Sequence, residues 1–232
     1  MARLFIHVEG ETEETFVNEA LAPHLYGFGY QKVSPRLLGN SRNRDRRGGI
    51  KGWNSVRNDI IDHLKEDPAC LATTMVDYYA LPKTGQGAWP GRAEAGQKPF
   101  PQKSQTVQAA LHADVCAELG HGFDPRRFVP YVMMHEFEGL LFSDCTRFAD
   151  SIGRPELAGQ FQSIRNAFST PEEINDSPLT APSKRVEALV AGYEKPLLGA
   201  LAVLGIGLET IRQECPHFGT WIGQLEQWVQ HG

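Results

Sequence analysis

The segment Leu4-Phe5-Ile6-His7-Val8-Glu9-Gly10-Glu11-Thr12-Glu13-Glu14-Thr15-Phe16 restricts the fold more than any other. An apolar run closes on a carboxylate, a glycine follows, and an acidic, helix-favouring stretch begins. That order predicts a buried strand, a tight turn and a helix N-terminus. Ligands of open α/β sheets sit outside the carboxyl ends of the strands, which is where Glu9 would stand. Glu11, Glu13 and Glu14 suit the positive end of a helix dipole and read as structural. Glu9 precedes the helix and is a poor N-cap residue, so its position points to function.

The rest of the chain repeats the pattern. Thr15 to Tyr26 has near-helical apolar spacing with Pro23 near its end. Lys32 to Leu38 predicts a second strand, which Pro35 confines to an edge or breaks. A helix capped by Ser55 carries Val56, Ile60, Ile61 and Leu64 on one face, and Cys70 to Val76 is a third strand ending on Asp77. Pro82 to Pro101 reads as a long loop, functional or mobile. Gln105 to Leu119 is helical, and Phe128 to Met134 is a fourth strand running into His135-Glu136-Phe137-Glu138-Gly139-Leu140-Leu141-Phe142-Ser143-Asp144. Strands separated by helices indicate an α/β fold: a mostly parallel, Rossmann-like sheet flanked by helices. The expected division is an α/β domain over 1–150 and a helical C-terminal extension over 151–232 packed on it.

In a parallel sheet the carboxyl ends share one edge, so Glu9, Asp77 and at least one of Glu136 and Glu138 are expected to converge. As a strand, Glu136 and Glu138 would share a face; as a short helix, the preferred reading, the segment would bury Phe137, Leu140 and Leu141 and point the two glutamates apart. Gathered carboxylates need raised pKa values or a hard cation to coexist. An all-carboxylate set suits Mg²⁺ or Mn²⁺ rather than zinc, and such ions hold phosphate groups. His7 and His135 are isolated and fit a core or a loop. With no Gly-x-x-x-x-Gly-Lys-Ser/Thr stretch, P-loop chemistry is not expected.

Composition narrows the setting. The chain has 232 residues, 41% hydrophobic and 22% charged, which suits a soluble globular protein. No apolar run approaches a membrane span and no signal peptide opens the chain, so no membrane partner is expected. Four scattered cysteines without a Cys-x-x-Cys pair fit a reducing cytoplasm. A net charge of −5 gives no global attraction to nucleic acid, so DNA or RNA would need a local basic patch. The glycine-rich run with Arg42, Arg44, Arg46, Arg47 and Lys51 offers one, as phosphate contacts or as a solvated charge run. Lys184 and Arg185, opening a helical segment, leave the same two readings open. Trp53 either stacks a base or packs in the core.

Val8-Glu9-Gly10 after the first strand, Asp77 closing a later one and an acid after the fourth resemble the topoisomerase–primase (Toprim) superfamily. Val8 to Glu13, Asp77 to Pro82 and His135 to Asp144 are more closely similar to a Toprim-like family related to RloB-type proteins. Pro182-Ser183-Lys184-Arg185, Ile206-Gly207-Leu208 and Cys215-Pro216-His217-Phe218 extend the resemblance over nearly the whole chain. It implies a Mg²⁺-dependent nuclease, the effector of a phage-defence or restriction system encoded beside an ABC-type ATPase partner. By the same resemblance Glu9 is a metal ligand or general acid/base, and Asp77 matches the first aspartate of the superfamily's Asp-x-Asp. Tyr79 stands where the second aspartate belongs, so two-metal chemistry would draw on Glu136 or Glu138. The alternative is a degenerate Toprim-like module that binds an ATPase or nucleic acid without cleaving.

Overall fold

A computed structural model describes residues 2–38, 49–174, 177 and 179–230. Strand β1 (Arg3–Val8) leads into helix α1 (Glu11–Phe16), which continues through a π-helical turn, Val17–Leu21, into α2 (Ala22–Tyr26). Pro23 lies in that run, and the widened turn absorbs the hydrogen bond proline cannot donate. Then follow β2 (Lys32–Leu37), α3 (Trp53–Glu66), β3 (Cys70–Asp77), α4 (Arg92–Ala95) and α5 (Gln102–Leu119). Two short strands, β4 (Phe128–Val129) and β5 (Val132–Met133), complete the sheet. Every strand pairing is parallel, in the order β2-β1-β3-β4, with β5 extending the fourth track against β3. The proline-bearing β2 is an edge strand, where a missing N–H is least costly.

The fourth strand is not continuous as expected, because Pro130 interrupts it. Thr74 repairs the gap: its hydroxyl donates to the Tyr131 carbonyl at 2.8 Å and accepts from the Tyr131 N–H at 3.0 Å. The helix expected to be capped by Ser55 begins earlier, at Trp53, with Gly52 as its N-cap. Gly52 passes so near Gly87 that an added Cβ would meet the Gly87 Cα at 2.8 Å. The predicted loop from Pro82 to Pro101 is built around α4. Gly91 enters α4 at φ +74°, and Arg92 is buried, its Nε donating to the Tyr78 carbonyl at 3.0 Å and its guanidinium 3.7 Å from the Tyr78 ring centroid.

The C-terminal part is helical: α6 (Cys145–Ser151), α7 (Ala158–Arg165), α8 (Pro182–Leu189), α9 (Ala200–Ile206), α10 (Leu208–Glu214) and α11 (Pro216–Gln230). Alternation along the strands divides the core. Leu4, Ile6, Val8, Leu71 and Met75 pack with the C-terminal helices, including Phe218, Trp221 and Leu225. Phe5, Cys70, Ala72 and Val76 pack against α3 and α5. Burial of both faces is what near-continuous apolar strands require. Among the described residues, no helix is long and apolar enough to cross a membrane.

Candidate metal-binding site

The strand register delivers the convergence. Val8 pairs with Met75, so Glu9 and Gly10 leave β1 beside Val76 and Asp77; Asp77 in turn pairs with Met133. The chain from β5 then folds back: the Phe137 N–H donates to Asp77 Oδ1 at 2.9 Å, and the Tyr79 N–H to the His135 carbonyl at 3.1 Å. A 3₁₀ helix over Phe137–Ser143 buries Phe137, Leu140 and Leu141 and separates the two glutamates as expected. Glu138 is completely buried in the cluster, whereas Glu136 accepts from the Ser183 N–H of α8 at 2.9 Å. Of the pair, Glu138 therefore faces the cluster, and Glu136 caps a helix.

Sequence reasoning missed a cation and a fourth acid. Lys195 Nζ lies 3.1 Å from Glu138 Oε2 and 3.5 Å from Asp77 Oδ2. Glu13, read as a helix-dipole residue, does serve the helix start: its Oε2 accepts from the Gly10 N–H at 3.0 Å. It is also buried, and its charge acts on Glu9, Asp77 and Lys195. Tyr193 closes the wall with a buried hydroxyl that has no hydrogen-bond partner. Gly199 lets the chain pass here, since a Cβ would lie 3.1 Å from the Tyr193 hydroxyl and 3.3 Å from Thr12 Cγ2. Spacing could not have found Lys195 or Tyr193, because their segment belongs to no strand end.

The electrostatics follow from burial among like charges. Desolvation, then the Glu13 charge, pushes Glu9 up to about 7, against the pull of Lys195 and a backbone hydrogen bond from Asp77. Desolvation also holds Asp77 well above the usual carboxylate range and raises Glu138, in each case against Lys195. Burial alone would lower Lys195, but Asp77, Glu138 and Glu13 together drive it well above its ordinary value. Lys195 is thus held as an ammonium by these acids, while burial opposes the ionisation of Asp77 and Glu138. Glu9 Oε2 and Glu138 Oε1 are buried without a hydrogen-bond partner, while Glu138 Oε2 is held by the Lys195 ammonium. Orphaned carboxylate oxygens are the donors a hard divalent cation takes, so these residues fit Mg²⁺ or Mn²⁺. Among the described residues, no three His, Cys, Asp or Glu side chains already stand as a preformed metal cage.

The basic residues divide. Arg42, Arg44, Arg46 and Arg47 lie outside the described residues. The ends of their segment are placed: the Leu38 N–H donates to the Val8 carbonyl at 2.9 Å and the Gly49 N–H to the Glu9 carbonyl at 3.1 Å. The described residues on either side of the run therefore both hydrogen-bond to the strand end that bears Glu9. Lys51 is half-buried and its carbonyl accepts from the Trp89 indole at 3.0 Å. Lys184 pairs with Glu187 at 2.6 Å on the surface. Arg185 is used structurally, donating to the Thr180 carbonyl at 2.8 Å and lying over Phe168. Trp53 is a buried residue, its indole donating to Asp114 at 2.7 Å, and not a base-stacking platform.

The profile of one family, described as a domain of unknown function (DUF4276), matches residues 8–226. No curated protein and no solved structure matches the chain.

Proposed function

The chain belongs to the DUF4276 family, and from its carboxylate site we propose that it is a Toprim-like, Mg²⁺- or Mn²⁺-dependent nuclease acting on nucleic-acid phosphodiesters. The observation that carries the reading is the meeting of Glu9, Asp77 and Glu138 at the carboxyl edge of a parallel sheet, with Glu9 Oε2 and Glu138 Oε1 lacking any hydrogen-bond partner. Glu9, Asp77 and Glu138 would hold the ion, which when bound supplies charge stabilisation at phosphorus. Without the ion, burial and the Glu13 charge push Glu9 up to about 7; a bound cation would counter both and hold it as an ionised ligand. Lys195, whose side chain is partly exposed, can turn from the acids to a phosphate oxygen of the substrate. The arginine-rich segment, anchored at Val8 and Glu9, supplies backbone contacts that do not depend on base sequence. On the resemblance to RloB-type proteins, the chain is the effector of a defence or restriction system and acts with an ABC-type ATPase in the cytoplasm.

A second reading, a non-cleaving module that binds an ATPase or nucleic acid, is favoured by two observations. Lys195 already supplies a positive charge to Asp77 and Glu138, and Tyr79 replaces the second aspartate. The test compares wild type and Glu9→Gln on single- and double-stranded DNA and RNA with Mn²⁺, with and without the ATPase. The nuclease reading expects cleavage by wild type and a loss of at least about a hundredfold in the variant. The variant's metal-free melting temperature should be equal or higher, since a like-charge neighbour of Glu13 is gone. Equal cleavage by the variant would remove Glu9 from the chemistry. No cleavage by wild type under any of these conditions would leave the binding module.

A further inference from the structure

His7, two residues before Glu9, is buried in β1 on the face that packs against α3. Its Nδ1 faces the Thr73 carbonyl oxygen at 3.2 Å, and its Nε2 faces Nδ1 of His63 at 3.3 Å. A carbonyl only accepts, so the proton of His7 is on Nδ1 and its Nε2 carries a lone pair. His63 comes from α3, its ring stacked on Phe5 with centroids 4.6 Å apart. The two rings border a cavity of about 430 Å³ lined also by Glu14, Asp59, Asp62 and Glu66. Asp59 is four residues before His63 and Glu66 three after it, so both share its side of the helix. Arg36 is the cation on the wall, its guanidinium 4.9 Å from the Phe5 centroid, and it leaves the four acids in excess.

We propose that His7 Nε2 and His63 Nδ1 are two ligands of a divalent transition-metal site, suited above all to zinc, that an α3 carboxylate, Asp59 or Glu66, closes by side-chain rotation. Tetrahedral zinc with bonds of roughly 2.0–2.1 Å holds neighbouring nitrogens about 3.3 Å apart, which is the spacing the rings already have. The Thr73 carbonyl supplies the outer hydrogen bond that fixes a metal-binding imidazole in its tautomer. A bare His–His hydrogen bond accounts for the distance alone; the acid-lined cavity beside it matches the charge and donor set of a cation. Nitrogen donors separate this site from the carboxylate cluster, which suits harder ions. Zinc here would tie α3 to the strand that ends on Glu9.

The experiment uses the untagged full chain, stripped with EDTA and kept in excess Mg²⁺ so that the carboxylate cluster does not compete. Co²⁺ and Zn²⁺ are then titrated into wild type and His63→Gln. One ion per chain is expected, with the strong visible absorption of four-coordinate Co²⁺. His63→Gln should weaken binding by more than roughly tenfold, a loss already typical when only a ligand's outer hydrogen bond is removed. Histidine ¹⁵N spectra of wild type with Zn²⁺ decide the matter even where the variant folds poorly: His7 Nε2 and His63 Nδ1 should shift as metal-bound nitrogens. No Co²⁺ uptake in excess Mg²⁺, equal binding by a folded variant, or unmoved imidazole resonances would overturn the site. No nuclease assay enters, so the outcome is independent of the proposed activity.

Discussion

Replacing Lys195 by methionine tests the electrostatics of the carboxylate cluster directly. The stem is kept, and the charge 3.1 Å from Glu138 and 3.5 Å from Asp77 is lost. Removing one partner of a fully buried ion pair costs about 3–5 kcal/mol. The Lys195 side chain is 39% exposed, however, and solvent screens part of its interaction. Asp77 and Glu138 can also respond by holding protons, as their raised pKa values show. A loss of about 2–3 kcal/mol at pH 8 follows, or roughly 5–10 °C in melting temperature for a chain of this size. The loss should shrink at pH 5, where the acids need no counter-ion. Divalent cations provide the sharper measure. An ion at one hundred times its Kd stabilises the folded state by about 2.7 kcal/mol. In wild type it must compete with Lys195 for the same oxygens. Scanning calorimetry in EDTA and in saturating MgCl₂ should therefore show a larger Mg²⁺ shift for Lys195→Met than for wild type, restoring much of the lost stability. An equal or smaller shift in the variant would refute the view that Lys195 and the metal share these carboxylates.

Three further outcomes are expected. Glu226 is held below the usual range: burial alone would raise it, but hydrogen bonds from Arg212 and His24, at 2.6 and 2.7 Å, outweigh that. A depressed folded-state pKa stabilises above the unfolded value of about 4.5 and is lost as pH falls through the folded one, so Glu226→Gln should cost about 2 kcal/mol at pH 7 and progressively less in acid urea titrations. Gly91→Ala should destabilise by more than about 2 kcal/mol, because φ is +74° and the new Cβ would meet the Thr106 carbonyl at 2.7 Å; an unchanged urea midpoint would show that α4 is not held as described. The triple variant R44A/R46A/R47A should weaken binding to all nucleic-acid sequences alike and reduce the salt slope by about one unit per lost contact, and an unchanged slope in filter binding would make the run a solvated surface.

What the sequence disclosed and what it hid have separate physical causes. Glu9 and Asp77 were legible because a parallel sheet puts all its strand ends on one edge, and β1 and β3 carry unbroken apolar runs up to their acids. The choice between Glu136 and Glu138 was not, because both fit the short helix. It is settled by α8, whose Ser183 N–H engages one of them from far along the chain. Pro130 split the fourth strand in a way its apolar pattern conceals, since Thr74 bridges the break with a side chain. Trp53 shows the same limit in the opposite direction: a tryptophan beside a basic loop suggests stacking, but the ring packs against Trp89 in the core and its indole N–H is taken by Asp114 of α5.

Lys195 is the instructive omission, because its role was implied although its identity was not. Four acids buried around one point need raised pKa values or positive charge, and the sequence pointed to no source of that charge other than a metal ion. The fold supplies an internal cation from a segment that carries no strand, no metal-binding spacing and no signal beyond a lysine before a proline. Its proximity is set by packing: Gly199 lets the following turn lie against Thr12 of α1, which brings Lys195 over Asp77 and Glu138. A cation of this kind does two things that a metal alone does not. It permits the acids to be gathered before any ion arrives, and it makes each later ion compete for them. The carboxylates explain why a cation belongs at this sheet edge, and on the proposed reading Lys195 sets how readily a divalent one could take its place.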